Sequence, residues 1–299
     1  MAEVRVATTL AEALELLAGD PASRPLAGGV GVLLGRALSS GGLGSQLPPA
    51  GRWVDVRSLP ELAGIRRSTD GRRHVGAAVT IAELAAATEA PGLLRAAAAA
   101  VGNPGVRAMA TVGGNLVEMG ASSDLMAALV ALGAVGLVDG PDGERRLPVG
   151  RIPRLLGAAP SAAGGVRPAL LLRVIELEDA EPTGWGFERL TFQGAMDRSA
   201  ASVAVALFSP PGRSRPTAGR IRARIAATAI ADRVVRFGGT ERRLAVERWI
   251  SDEGLEAAAS ADLAAAVVRG DARISDWYRR AVVPVLVRRA IGTALDGRR

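Results

Sequence analysis

Two glycine doublets, Gly28-Gly29 and Gly113-Gly114, constrain this chain more than any other feature, because each interrupts an apolar stretch with residues free of a Cβ. Glycine lets main-chain N–H groups face a ligand unobstructed and reaches backbone angles that other residues avoid. At the first doublet a short strand, Pro25 to Ala27, runs into Gly28-Gly29-Val30-Gly31 and then an apolar segment from Val32 to Leu38. At the second, Thr111-Val112-Gly113-Gly114-Asn115-Leu116 reads as another glycine turn, followed by a loop and by Ser122-Ser123-Asp124 capping a helix from Leu125 to Leu132. Either doublet alone reads as a tight turn. Together, with Asn115 and Ser123-Asp124 nearby, they read as nests for a pyrophosphate, whose charge several N–H donors can share. Neither follows the spacing G-x-G-x-x-G with a later acidic residue, so a Rossmann site is not indicated.

Composition removes much of the remaining chemistry. All 37 basic residues of the 299 are arginine, cysteine is absent, and His74 is the single histidine. A Schiff-base or P-loop lysine, a cysteine nucleophile, a thiolate metal site and a cysteine-held iron–sulfur cluster within this chain are thereby excluded. His74, beside Arg72 and Arg73 at the start of a strand, reads as a solvated edge residue, and the carboxylates Glu176, Glu178, Asp252 and Glu253 read as surface charge. No catalytic side chain and no metal site is indicated. The formal charge of +7 is spread over the whole chain and aromatic content is 3%, which argues against a nucleic-acid partner. The longest apolar run, Leu125 to Val138, is too short for a membrane span, and the amphipathic, acidic start does not resemble a secretory signal, so the expected location is cytoplasmic.

Strand and helix signals alternate through the first half. Thr9 with Glu12, and Thr80 with Glu83, mark capping boxes that open helices through about Ala18 and Ala87. Strands are expected at Trp53 to Val56, His74 to Val79 and Ala134 to Val138, the last returning through Asp139 to Gly143 into Arg145 to Val149. Gly92 to Val101 reads as a helix stopped by Asn103-Pro104-Gly105, while Ser39 to Gly51 and Ala158 to Pro168 read as loops. Beyond them the signals change to strands at Leu170 to Leu177, Phe187 to Phe192, Ser202 to Phe208 and Ile221 to Ala226. Helices follow at Glu241 to Ile250, Leu255 to Arg269 and Ser275 to Leu295, the last containing Pro284 as a kink.

The blocks Pro25-Leu26-Ala27-Gly28-Gly29, Trp53 to Val56, Gly76 to Glu83, Asn103 to Arg107, Thr111 to Leu116 and Asp124-Leu125 resemble the FAD-binding medium subunit of the molybdenum hydroxylases, the xanthine and carbon monoxide dehydrogenase flavoproteins. The likeness continues through Met196-Asp197, Ser202 to Ala206, Asp276 to Arg280 and Val285 to Ala290. It implies an α+β chain with a vanillyl-alcohol-oxidase-like (PCMH-type) FAD-binding fold over residues 1–178, in subdomains of about 1–57 and 58–178. A C-terminal α+β domain with a small antiparallel sheet and helices would follow over residues 187–299. It further implies non-covalent FAD held by Ala27, Gly28, Gly29, Val30, Gly31 and Val32 and by Thr111, Gly113, Gly114 and Asn115. Asp124 would reach the nucleotide portion, and Arg189 would stand where the family often places a lysine near the flavin. Electrons would come from an iron–sulfur [2Fe-2S] small subunit fed by a molybdopterin-binding large subunit, and leave to NAD, a quinone or oxygen. The chain departs from the family pattern at Gly31, at Gly120-Ala121 and at Gln193. The alternative is a flavin-free homologue serving as a structural or assembly subunit.

Overall fold

The computed structural model describes residues 3–33, 52–156, 169–192, 194, 197–210, 221–247, 249–271 and 273–297. The strands are β1 (Glu3–Val6), β2 (Arg24–Leu26), β3 (Arg52–Asp55), β4 (Ile65–Arg67), β5 (Arg73–Gly76), β6 (Val135–Gly140), β7 (Gly143–Pro148), β8 (Leu171–Leu177), β9 (Gly184–Thr191), β10 (Ser199–Phe208), β11 (Arg222–Thr228) and β12 (Val235–Arg236). Besides a helical turn at residues 30–33 and short 3-10 turns, the helices are α1 (Leu10–Ala18), α2 (Ile81–Ala86), α3 (Gly92–Ala99), α4 (Pro104–Met109), α5 (Val112–Met119), α6 (Asp124–Leu132), α7 (Ile152–Leu156), α8 (Gly238–Val246), α9 (Asp252–Ala264) and α10 (Asp276–Asp296).

Two compact units share the chain. The first comprises Met1–Leu84, Asn103–Gly120 and Val135–Glu176; the second comprises Ala85–Gly102, Ala121–Ala134 and Leu177–Arg299. The chain thus leaves the first unit twice and returns, a path that sequence punctuation does not show.

In the first unit, β1, β3 and β2 form a parallel sheet in that order, and a second sheet runs β4-β5-β8-β6-β7. Thr9 caps α1 by accepting from the Glu12 amide at 3.1 Å, while the Glu12 carboxylate accepts from the Thr8 amide at 2.7 Å. The second capping box closes as expected, with the Glu83 amide donating to Thr80 Oγ1 and the Thr80 amide to Glu83 Oε2. These bonds satisfy donors that a helix start otherwise leaves without partners.

The second unit is built on the antiparallel sheet β12-β11-β10-β9. Every residue of β10 after Ser199 is buried, as expected of a central strand covered on both faces. Helix α10 lies so close to β9 that a Cβ on Gly186 would fall 2.0 Å from the Ala290 carbonyl oxygen. Helix α6 is buried nearly all round, which explains its unbroken apolar sequence. It ends at Gly133 in the left-handed conformation (φ 74°), and Arg224 donates to its last carbonyl, Leu132 O, at 2.9 Å.

Several sequence expectations are corrected here. Thr111 to Leu116 is not a turn but the start of α5, with Thr111 as its cap. Asn103-Pro104-Gly105 is not only a stop, because Asn103 caps α4 and Pro104 occupies its first turn, where the missing N–H costs nothing. His74 is not a solvated edge, and Glu176 is not surface charge. Glu176 is buried and accepts from Arg72 and Arg146, and His74 Nε2 lies 3.4 Å from its carboxylate. The stretches expected at residues 34–51 and 158–168, with Gln193 and Met196, lie outside the described residues.

Candidate functional site

The first glycine turn, in the first unit, keeps its predicted character. Strand β2 ends at Leu26, Gly29 takes φ +69°, and the Leu33 amide donates to Gly29 O at 3.0 Å as the chain enters its helical turn. The amides of residues 28–32 donate to no group among the described residues, although this stretch is half-buried. Among the described residues these N–H groups have no acceptor, so the turn can present them to a ligand.

Gly28 has a different task. A Cβ there would sit 1.8 Å from the Met109 carbonyl oxygen and 2.8 Å from its carbon, so glycine is what lets this turn lie against the segment leading into α5.

The second glycine doublet spends its amides internally. Val112 N–H donates to Val79 O and Gly113 N–H to Ala77 O, each at 2.8 Å; Gly114 N–H donates to Thr111 Oγ1 at 3.2 Å and Asn115 N–H to Thr111 O at 2.8 Å. Gly113 is needed for space, since its Cβ would meet the Ala77 Cβ at 2.8 Å. The start of α5 therefore has no main-chain donor to spare from Val112 to Asn115; Gly114 is exposed there and Asn115 half-buried.

A cavity of about 380 Å³ lies against both loops, its wall including Gly28, Arg57, Gly64, Thr80, Glu83 and Thr111. Arg57 lines that wall, and its guanidinium is paired with Asp55, at 2.7 Å between Nη2 and Oδ2. The hydrogen bond from Arg57 holds the Asp55 carboxyl below its ordinary value, against the opposing effect of burial. Glu83 is occupied with capping at Thr80.

Asp124 and Arg189 belong to the second unit and meet there. Asp124 opens α6 and is buried; its carboxylate accepts from Ser199 Oγ at 2.6 Å and from Ser202 Oγ, and Arg189 Nε lies 3.2 Å from Oδ2. Arg189 Nε also donates to Ser199 Oγ at 2.6 Å, and its Nη2 to the Asp197 carbonyl.

The two serines were not singled out from sequence. They stand three apart in β10, and in a regular strand such residues point to opposite faces. The register of β10 against β9 slips between Ser199 and Ala201, and this irregularity brings both hydroxyls to Asp124. Arg189 is the direct cross-strand partner of Ser202.

Comparison with known proteins identifies the family. Residues 1–158 match the family described as FAD binding domain in molybdopterin dehydrogenase, and residues 188–294 match the CO dehydrogenase flavoprotein C-terminal domain. The chain is 29% identical over 246 residues to the carbon monoxide dehydrogenase medium chain of Hydrogenophaga pseudoflava, covering 81% of this chain and 80% of that one. It is 33% identical over 147 residues to the xanthine dehydrogenase FAD-binding subunit of Escherichia coli O157:H7, covering 48% of each. A solved structure described as reconstituted CO dehydrogenase from Oligotropha carboxidovorans superposes with a TM-score of 0.82 at 25% identity, over 100% of this chain and 99% of that one.

The α+β architecture is accordingly that of the PCMH-type flavoproteins, and among the described residues no single helix is long and apolar enough to cross a membrane. A FAD-binding domain followed by the CO dehydrogenase flavoprotein C-terminal domain, in that order and over nearly the whole length, makes this chain a member of the xanthine and carbon monoxide dehydrogenase flavoprotein family, the FAD-binding oxidoreductase subunits of the molybdenum hydroxylases.

Proposed function

We propose that the chain is the electron-transferring flavin subunit of a heteromeric molybdenum hydroxylase. It would stand between an iron–sulfur small subunit, fed by a molybdopterin-binding large subunit, and an outside acceptor such as NAD, a quinone or oxygen. The observation that carries this reading is the half-buried row of amides at residues 28–32 with no acceptor in the described chain, set beside a cavity that also touches Thr111. Amide dipoles suit a diphosphate dianion and need no lysine. Bound FAD supplies the redox chemistry, taking up and releasing electrons.

The chain's own residues hold and orient. Gly28, Gly29, Val30, Gly31 and Val32 present the amides, Ala27 leads the chain into the turn, and Gly28 lets that turn seat against Met109. Thr111 caps α5 and fixes its first turn, in which Gly114 is exposed and Asn115 half-buried. Asp124 and Arg189 fix the start of α6 against the edge of the β9–β10 pair. With no cysteine in the chain and His74 engaged at Glu176, attachment of the flavin is non-covalent.

The flavin-free alternative is favoured by one observation. The amides of the second doublet, and the carboxylate of Asp124, are already satisfied within the protein. The visible spectrum of the purified 299-residue chain, before and after incubation with FAD, decides between the two. Bound oxidised flavin absorbs near ~450 nm, whereas a colourless protein that takes up no FAD supports the structural role. Isolation from its native source, with iron and molybdenum analysis of whatever copurifies, tests the partner assignment.

A further inference from the structure

We propose that Arg279 is the positioning residue for the Asp124–Arg189 pair, acting through a bulge in β10 and not through contact with either member. The slip in register makes Ala200 the extra residue. Ser199 pairs with Thr191 and Ala201 with Leu190, while Ala200 has no counterpart in β9 or β11. An extra residue of this kind leaves ladder groups without partners, and Ala200 is buried, so its carbonyl needs a donor from elsewhere. Arg279, near the start of α10 and itself buried, supplies one: its Nε donates to the Ala200 carbonyl at 3.2 Å.

The rest of the guanidinium is anchored from behind. Nη1 donates to the Arg269 carbonyl and Nη2 to Asp271 Oδ2 at 2.5 Å, both in the connection between α9 and α10. That connection reaches the same segment a second time, since Arg273 Nη1 lies 3.1 Å from Asp197 Oδ1, and the Asp197 carbonyl accepts from Arg189 Nη2. Residues 197–200 are thus held at both ends. Between those ends stands Ser199, whose hydroxyl accepts from Arg189 Nε and donates to Asp124 Oδ1, each at 2.6 Å. Without the bulge, Ser199 would turn to the face of the sheet opposite Ser202 and leave both partners. A guanidinium suits this task, because its planar fork offers Nε and both Nη atoms to three acceptors at once. The bearing on the cofactor rests on the flavin reading above, which assigns Asp124 and Arg189 to FAD.

The test uses the full chain in a double-mutant cycle read by thermal unfolding, which needs no flavin. Arg279→Lys keeps the charge and a donor for Asp271 but sets a methylene where Nε stood, so the Ala200 carbonyl loses its partner. Ser199→Ala alone is expected to lower the melting temperature by roughly 2–4 °C, the loss of one hydrogen bond. In the Arg279→Lys background the same change is expected to cost less than half as much, because the hydroxyl has already left the pair. Deleting Ala200 supplies the rescue: it removes the extra residue and leaves Ser199 on the face of Ser202 in a regular strand, so the full Ser199→Ala loss should return in the Arg279→Lys chain. Equal Ser199→Ala losses with and without Arg279→Lys, or a reduced loss that the deletion leaves reduced, overturn the proposal. Should Arg279→Lys fail to fold, Asp271→Asn, which loosens the fork from its far end, takes its place in the cycle with the same two outcomes. FAD affinity is read separately, from quenching of flavin fluorescence. Arg279→Lys and Ser199→Ala are expected to weaken FAD by the same factor, about fivefold, and no further together. An affinity untouched by either change overturns the assignment of the pair to FAD, while the melts decide the positioning role on their own.

Discussion

Replacing Asp124→Ala should destabilise the second unit more than any surface change, and the size of the effect follows from the groups left behind. The Arg189 side chain is 11% exposed and that of Asp124 8% exposed, so the substitution strands a guanidinium away from water. Breaking a buried ion pair on one side costs about 3–5 kcal/mol. Ser202 also loses the acceptor of its hydroxyl, which adds about 1 kcal/mol, whereas Ser199 keeps its contact with Arg189. At roughly 2–4 °C per kcal/mol for a unit of this size, the melting temperature should fall by on the order of 10–20 °C. Thermal unfolding followed by far-ultraviolet circular dichroism measures it. Asp124→Asn, which keeps an acceptor for the hydroxyls but turns an amide donor toward Arg189, should fall between the variant and the wild type. Removing both partners in Asp124→Ala with Arg189→Met should cost less than the sum of the single changes by about 2 kcal/mol, because no charge is then stranded. An Asp124→Ala protein within about 1 kcal/mol of the wild type would refute the account, and with it the claim that the slipped register of β10 serves this pair.

Two other substitutions test the first unit. Gly28→Ala should cost about 3 kcal/mol or more and abolish FAD uptake, because its Cβ overlaps the Met109 main chain and no rotamer relieves that. Gly29→Ala should cost only about 1 kcal/mol, from its positive φ, since its Cβ would meet nothing nearer than Leu26 Cδ1 at 3.9 Å. Urea midpoints in the reverse order would show that the turn is not pinned through Gly28. Glu176 sets a pH dependence. Burial alone would raise its carboxyl, but hydrogen bonds from Arg146 and Arg72 outweigh burial and leave it below the ordinary glutamate value. A carboxyl depressed on folding stabilises above its unfolded value, and the contribution is lost as pH falls through the folded value. Glu176→Gln should therefore lower stability at neutral pH by roughly 1 kcal/mol, a figure reduced by the exposure of both arginines, and the gap should close as pH falls through the lowered folded value. A gap that widens on acidification would contradict the assignment.

What the sequence showed and what it hid divides along a physical line. Capping boxes at Thr9 and Thr80, the turn at Gly28-Gly29 and the cap at Ser123 were legible because each is a local contest decided within four residues. The second glycine doublet misled for an equally physical reason. Glycine is selected either for backbone angle or for space, and only the first produces a turn. Gly113 is there so that α5 can lie against Ala77, and it is helical. Asn103-Pro104 carries the residues that both end one helix and start the next, so punctuation alone cannot say which it does. The Asp124 network was half legible. Its acid and its arginine could be named from the family resemblance, but Ser199 and Ser202 reach the carboxylate only because β10 slips register, and a slip is decided by the partner strand. The passage of Ala85–Gly102 and Ala121–Ala134 into the second unit is a matter of long-range contact, to which no local pattern responds.

A chain without lysine, proposed to hold a dinucleotide, must find its positive potential elsewhere, and many of its described arginines are committed to carboxylates. Arg57 is tied to Asp55, Arg72 and Arg146 to Glu176, Arg173 to Asp139, and Arg189 to Asp124. The net charge of +7 is therefore a property of the surface more than of the turn at residues 28–32. There the donors are peptide groups, which are present whatever side chain the residue bears. A residue without a side chain, such as Gly31, can therefore stand in this turn without removing a single N–H. Side-chain identity in that loop then governs what lies beside the diphosphate rather than whether a diphosphate is held.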